Sequence, residues 1–104
     1  MTGVPELLVL RLLSAREMYG YEIVRQIRLV TDEAIKIGEG VVYPALHALE
    51  KNGSLKSRRK MVDGRQRVYY SVTIKGTERL QRLTDDWTRI QNGINAANTI
   101  KGNA

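Results

Sequence analysis

The sequence predicts a mainly α chain with a small β element (α+β): a winged helix-turn-helix followed by a long C-terminal dimerisation helix. Three observations carry this. Apolar residues recur at helical spacing in three segments between residues 4 and 51. The period then drops to two on either side of Asp63-Gly64, a pair that favours a two-residue hairpin turn. From Leu80 the apolar residues return in alternating steps of three and four, as in a coiled-coil seam. A length of 104 residues suits one compact unit. Within it, residues 1–74 form the expected winged head, and residues 75–104 the helical arm with a tail expected to fray from Asn98 onward.

The first helix should open near Pro5, whose missing N–H costs nothing in a first turn, with Glu6 beside the positive end of the dipole. Val4, Leu7, Leu8, Leu10, Leu12 and Leu13 lie nearly all round it, so it should be buried on more than one side. Gly20 punctuates, and a second helix sets Ile23, Val24, Ile27 and Val30 inward, with Glu22, Arg25, Gln26 and Arg28 outward. The short AIKI segment, residues 34–37, reads as a brief strand before a turn at Gly38 and Gly40. A third helix should begin close to Gly40 or Val41, keep Pro44 within its first turn, and end at Asn52-Gly53. In the second strand of the hairpin, Val68, Tyr70, Val72 and Ile74 are expected on one side, and Arg67, Tyr69 and Ser71 on the other. Thr73 is positioned to cap the last helix, whose seam is Leu80, Leu83, Trp87, Ile90, Ile94 and Ala97.

The net charge is +6, and its location says more than its size. From Lys51 to Arg67, seven basic residues stand against the single acid Asp63, which leaves the remainder of the chain formally neutral. A charge run is ordinarily a solvated face, and charges also keep an exposed hairpin from pairing with other sheets. Two or three would suffice for that. Segregation on this scale points to a polyanion. The lack of Cys excludes disulfides, thiolate metal sites and a Cys nucleophile. A single His, an adjacent Asp85-Asp86 pair that would diverge by about 100° on a helix, and no Gly-rich phosphate loop leave no catalytic residue, metal site or cofactor to assign. No segment has the length of a membrane span or the pattern of a secretion leader, so no membrane partner and a cytoplasmic location are expected.

On the third helix, Val42, Ala45, Leu46 and Leu49 share the inward arc. Gly40, Val41, Pro44, His47, Ala48 and Lys51 share the opposite one, with Tyr43 on the flank. The outward arc is slim at Gly40, Pro44 and Ala48, which suits a helix entering a groove about 12 Å wide. Tyr43, His47 and Lys51 are its donors, and the dipole at its start favours a phosphate. Lys56, Arg58 and Lys60 should form a row on the first wing strand. Arg65 and Arg67, just past the turn, can reach a backbone or a minor groove. The candidate set for double-stranded DNA is therefore Gly40, Tyr43, Pro44, His47, Lys51, Arg58, Lys60, Arg65 and Arg67. A module that binds RNA or another protein keeps the same fold, but Tyr69 and Tyr70 make a thin stacking platform and the chain has no Phe.

The runs GEGVVYPALHALEKNG (residues 38–53) and DGRQRVYYSVTIKG (63–76), with MYGYEI (18–23), resemble the PadR family of bacterial transcriptional regulators over about residues 4 to 80. The resemblance implies a DNA-binding repressor with Tyr43 and Pro44 at the DNA and the wing arginines on phosphates or in the minor groove. Arg59 stands where the family often has a tryptophan in the first wing strand, and Val68 where a basic or aromatic residue is usual. The single-helix arm is similar to the small subfamily in which that helix makes a homodimer. Two-fold symmetry would then set the reading helices about 34 Å apart on a palindromic operator.

A head this small cannot cover the whole seam, and a second copy is expected to do so, with Leu8, Leu80, Leu83, Trp87, Ile90 and Ile94 at the dimer interface. Trp87 is the sole Trp, and a Trp at a heptad position ordinarily just packs. The resemblance adds a second reading, similar to the multidrug-responsive members: paired Trp87 rings, with Asp86 and Ile90, would hold a small planar aromatic effector. Asp85 and Asp86 would favour a cation, although Gln91 stands where such members carry an acid.

Overall fold

The computed structural model describes residues 3–100. The elements run α1 (Val4–Ala15), β1 (Met18–Tyr19), α2 (Gly20–Val30), α3 (Glu39–Lys51), β2 (Leu55–Val62), β3 (Arg65–Val72) and α4 (Ile74–Asn98). Three helices, a hairpin and a long last helix thus follow the expected order, and the fold is a winged helix.

The core forms where α1, α2 and α3 meet. Val9, Leu10 and Leu13 of α1 face Ile23 and Ile27 of α2 and Val42, Leu46 and Leu49 of α3, all essentially inaccessible to water. Burying each such side chain is worth about 1.5–3 kcal/mol. Met18, Leu55 and Tyr70 close the core from the sheet, and Leu80 of α4 closes it from the far side of α1. The inward arc predicted for α3 is the one observed. On α2, Ile23 and Ile27 are buried but Val30 is 58% exposed, because the helix ends there and runs past the core.

The sheet is antiparallel in the order β1-β3-β2. Asp63 (φ 51°) and Gly64 (φ 76°) both lie in the left-handed region, the geometry of a type I′ turn. The hairpin keeps register from Val62–Arg65 at the tip to Leu55–Val72 at the base.

The third strand is not the expected AIKI segment. It is Met18–Tyr19, which pairs Met18 with Tyr70 and Tyr19 with Tyr69. β3 has two edges; β2 takes one and β1 the buried end of the other. Ile35 instead gives its N–H to Thr31 Oγ1 (3.2 Å) in a loop entered through Asp32 and Glu33, both at positive φ. Ile35 and Ile37 still pack on the core, which accounts for the apolar spacing that suggested a strand. Two further expectations are corrected. Pro44 is the sixth residue of α3 and not in its first turn. It can offer no N–H to the carbonyl of Gly40, and Gly40 is exposed to water. Ile74 is not a strand residue facing with Tyr70; it opens α4 and is 82% exposed.

The junction of α3, wing and α4 is tied by backbone. α3 ends in a Schellman pair, Ser54 N donating to Leu49 O (2.8 Å) and Gly53 N to Glu50 O (3.1 Å). Thr73 N donates to Ser54 O (3.0 Å), while Thr73 Oγ1 accepts from Gly76 N (3.1 Å) and so caps α4 as expected. A Cβ on Gly76 would sit 2.1 Å from the Ser54 carbonyl oxygen, so this crossing requires glycine.

α4 then leaves the head. Its first half lies along α1, pinned by Arg79 to Glu6 (2.8 and 3.1 Å) and by Arg11 to Thr84 (3.1 Å). Its second half projects. The molecule measures 65 × 28 × 21 Å, with a radius of gyration of 16.3 Å, against about 13 Å for a compact chain of this length. The helix continues through Asn98 with Thr99 as its C-cap, so the tail expected to fray from Asn98 begins as helix, and its residues 101–104 lie outside the described residues.

Candidate nucleic-acid interface

α3 presents one uninterrupted outward strip. Gly40, Val41, Pro44, His47, Ala48 and Lys51 are all exposed, while the opposite arc is in the core. Tyr43 sits on the flank, half-buried. Its ring lies where a side chain on Gly20 would be, 2.5 Å from the place of a Gly20 Cβ, so α2 and α3 meet closely only because residue 20 is glycine. Burial, aided by the charge of Glu39, pushes the Tyr43 hydroxyl above its ordinary pKa, so it stays a protonated donor.

The wing stands beside this strip. Between them runs an open groove of about 390 Å³, lined by Tyr19, Gly20, Tyr43, His47, Gln66, Arg67, Val68 and Tyr70. It exists because β1 covers only the buried end of β3 and leaves the edge at residues 66–68 unpaired by it. In a duplex, a sugar–phosphate strand separates each major groove from the adjacent minor groove. A helix placed in one and a wing placed in the other must straddle that strand, and this groove lies between the two.

Alternation along the hairpin puts Lys56, Arg58 and Lys60 of β2 with Arg65, Arg67 and Tyr69 of β3 on one face. The expected row of lysine and arginine is therefore real, and it is held by contacts the sequence did not disclose. The guanidinium of Arg67 stacks 4.4 Å from the Tyr19 ring centre, Lys60 Nζ lies 4.8 Å from that of Tyr69, and Tyr19 meets Tyr69 edge to face at 5.5 Å. Glu17, the residue before β1, reaches across the central strand. It accepts from Arg58 Nε (2.9 Å) and Nη2 (2.5 Å) and from Lys60 Nζ (3.3 Å). The Arg58 hydrogen bond is the main reason its carboxyl is held down to about 2 from the ordinary 4.5, with Lys60 adding to it. Among the described residues, Lys51, Lys56, Arg59 and Arg65 make no ion pair.

Glu17, Tyr19 and Gln66 are the members of this surface that sequence reasoning missed. Their signal was hidden because Met18–Tyr19, too short to show a period, did not read as a strand. Arg59 and Val68 pair across the strands and are both exposed. No cluster of His, Cys, Asp or Glu among the described residues could hold a metal, and no described helix is long and apolar enough to cross a membrane.

On the arm, the seam residues are in unequal surroundings. Leu80 is 5% exposed beneath α1, so it is already part of this chain's own core, and Leu8 and Leu83 are half-buried against that core. Trp87 and Ile90 are half-buried, and Ile94 is 53% exposed. Asp86 pairs with Arg89 (2.6 Å) and Asp85 accepts from Gln81 (3.0 Å).

A slim exposed helix beside a basic hairpin is the architecture of a winged helix-turn-helix protein. Residues 9–82 match the Transcriptional regulator PadR-like family, and the chain belongs to that family. A transcriptional regulator from Clostridium thermocellum is similar over 93% of this chain and 90% of its own, at 34% identity and a TM-score of 0.83. A PadR family transcription regulator from Clostridium difficile matches over 90% of this chain and 97% of its own, at 29% identity and a TM-score of 0.79. A transcriptional regulator of Mycobacterium tuberculosis is 41% identical over 51 residues, 49% of this chain and 45% of that one. The chain is thus a DNA-binding transcriptional regulator and not an enzyme.

Proposed function

We propose that the chain acts as a homodimeric repressor that reads a palindromic operator and is released by a planar aromatic ligand held near Trp87. The observation that carries the DNA part is the continuity of the exposed α3 strip with the groove and the basic wing. In this reading Gly40, Tyr43, Pro44 and His47 face base edges in the major groove. Lys51, Arg65 and Arg67 take phosphates or the minor groove. Affinity comes mainly from the phosphate contacts and sequence preference from α3. Arg58 and Lys60 belong to the same basic surface, but a phosphate takes the Nε–Nη2 edge of Arg58 only by displacing Glu17.

The dimer is supported by Trp87, Ile90 and Ile94, an apolar row that this chain leaves partly uncovered. A second copy laid along it would relate two reading helices by a two-fold axis. The effector is supported by the same row, where a flat ligand could lie between two Trp87 rings with Ile90 beneath and Asp86 at the rim.

Selection of bound fragments from a random duplex pool tests the whole. The expected product is an inverted repeat with half-sites one helical turn apart, retained by a species of twice the chain mass. Single-stranded RNA of equal length should compete poorly. A monomer at micromolar concentration that ignores duplexes in dilute salt would end the proposal. Trp87 fluorescence unchanged across a panel of planar cations would remove the ligand part alone.

A further inference from the structure

The basic face of the wing has a carboxylate held against its cations: Glu17, from outside the hairpin. Glu17 meets Arg58 in a two-point fork, Oε2 on Nε at 2.9 Å and Oε1 on Nη2 at 2.5 Å, and shares Oε1 with Lys60 at 3.3 Å. A carboxylate and a phosphate present the same pair of acceptor oxygens to a guanidinium. Glu17 therefore occupies the Nε–Nη2 edge of Arg58 that a phosphate would grip at two points, and its negative charge offsets the attraction of Arg58 and Lys60 for one. Lys56, Arg59 and Arg65 on the same hairpin take no carboxylate among the described residues. The arrangement is selective: one negative charge is shared between two cations, while Lys56 toward the base, Arg65 at the turn and Arg59 on the opposite face are left unpaired among the described residues.

We infer that Glu17 is a specificity-determining residue, which withholds Arg58 and Lys60 from DNA phosphates so that binding depends on α3 and the wing tip. The inference rests on the DNA-binding reading above. Sequence-independent affinity for a duplex comes from phosphate contacts and counterion release, whereas preference for one sequence comes from base contacts. A built-in acid on the outer face of the sheet lowers the first without touching the second. It also penalises docking of a duplex across the middle of that face, away from Arg65 at the turn, because Glu17 would meet the phosphates directly. The effect on sequence preference is obtained by repulsion of wrong placements and needs no added attraction to the right one.

The test compares wild type with Glu17→Gln, which keeps the shape and removes the charge. Two duplexes are used, one enriched from a random pool by the wild type and one a scramble of it, each titrated across a range of salt by fluorescence anisotropy. Glu17→Gln should bind the scrambled duplex several-fold more tightly, with a salt slope steeper by about one to two units, since each phosphate newly neutralised adds about 0.9. The enriched duplex should gain less, so that the ratio between the two narrows. Adding Arg58→Gln to Glu17→Gln should return most of the slope toward wild type. An unchanged slope, or weaker binding of both duplexes by Glu17→Gln, overturns the inference; the second result would mean that the pair merely orders the wing. If wild type binds neither duplex, the DNA-binding reading itself has failed, an outcome distinct from wild type binding well and Glu17→Gln matching it.

Discussion

The two halves of α4 have one apolar periodicity and two environments. Leu80 lies under α1 and is 5% exposed, whereas Ile94, four turns on, is 53% exposed. Length explains the difference. At 1.5 Å per residue, the 12 residues of α1 span about 18 Å and the 25 of α4 about 37 Å, so α1 can roof roughly half of its neighbour. The head is a closed core whose stability belongs to one chain. The distal arm has an apolar row that this chain leaves partly uncovered. Heptad spacing tells which side of a helix is apolar; what covers it depends on what else the chain can place there.

Substitution at the two ends should separate these regions. Leu80→Ala should cost about 2–5 kcal/mol, a fall in Tm of at least about 8 °C for a chain of this size, and the fall should not vary with protein concentration. Thermal melts over a hundredfold dilution range check this. Trp87→Ala should do the reverse. It should leave the dilute melt nearly unchanged and weaken self-association by about 30-fold or more, the consequence of losing an interface anchor worth about 2 kcal/mol. Sedimentation equilibrium reads that shift. Equal loss in dilute and concentrated samples would mean that Trp87 is part of the head's own core.

The head was also the more legible region. Asp63-Gly64 announced its turn through local backbone preference, and the inward arc of α3 followed from one helix period, so both were found where expected. The strand partner of β3 was not legible, because pairing at Met18–Tyr19 depends on which edge of a distant strand is vacant. The seam of α4 was visible from Leu80 to Ala97, but its division between α1 and solvent was not. At the interface, the sequence displayed the cations and hid the anion: Glu17 is 41 residues from Arg58 in the chain, and only the fold brings them together.

Head and arm should also part in DNA binding. Arg65→Ala, at the wing tip, should weaken binding to every duplex alike and lower the salt slope by about one unit, with the sequence preference and any self-association unchanged. A changed preference would place Arg65 at a base edge. Anisotropy titrations on enriched and scrambled duplexes distinguish the two.

The smallest effect concerns acid. Glu17 has its carboxyl lowered from 4.5 to about 2, chiefly by the Arg58 hydrogen bond. Because the folded value lies below the unfolded one, the stabilisation by this pair is fully present above about pH 4.5 and is lost as pH falls toward 2. Between pH 8 and 5 it should therefore contribute no pH dependence to stability or to DNA binding. The side-chain carboxyl signal of Glu17, followed by NMR through an acid titration, should show its midpoint near 2, and the amides of the distal half of α4 should not follow it. A midpoint close to 4.5 would mean that the wing's carboxylate is not held in solution. Arg58 and Lys60 would then stand open to phosphate, and the wing would join the distal arm as a surface completed only by a partner.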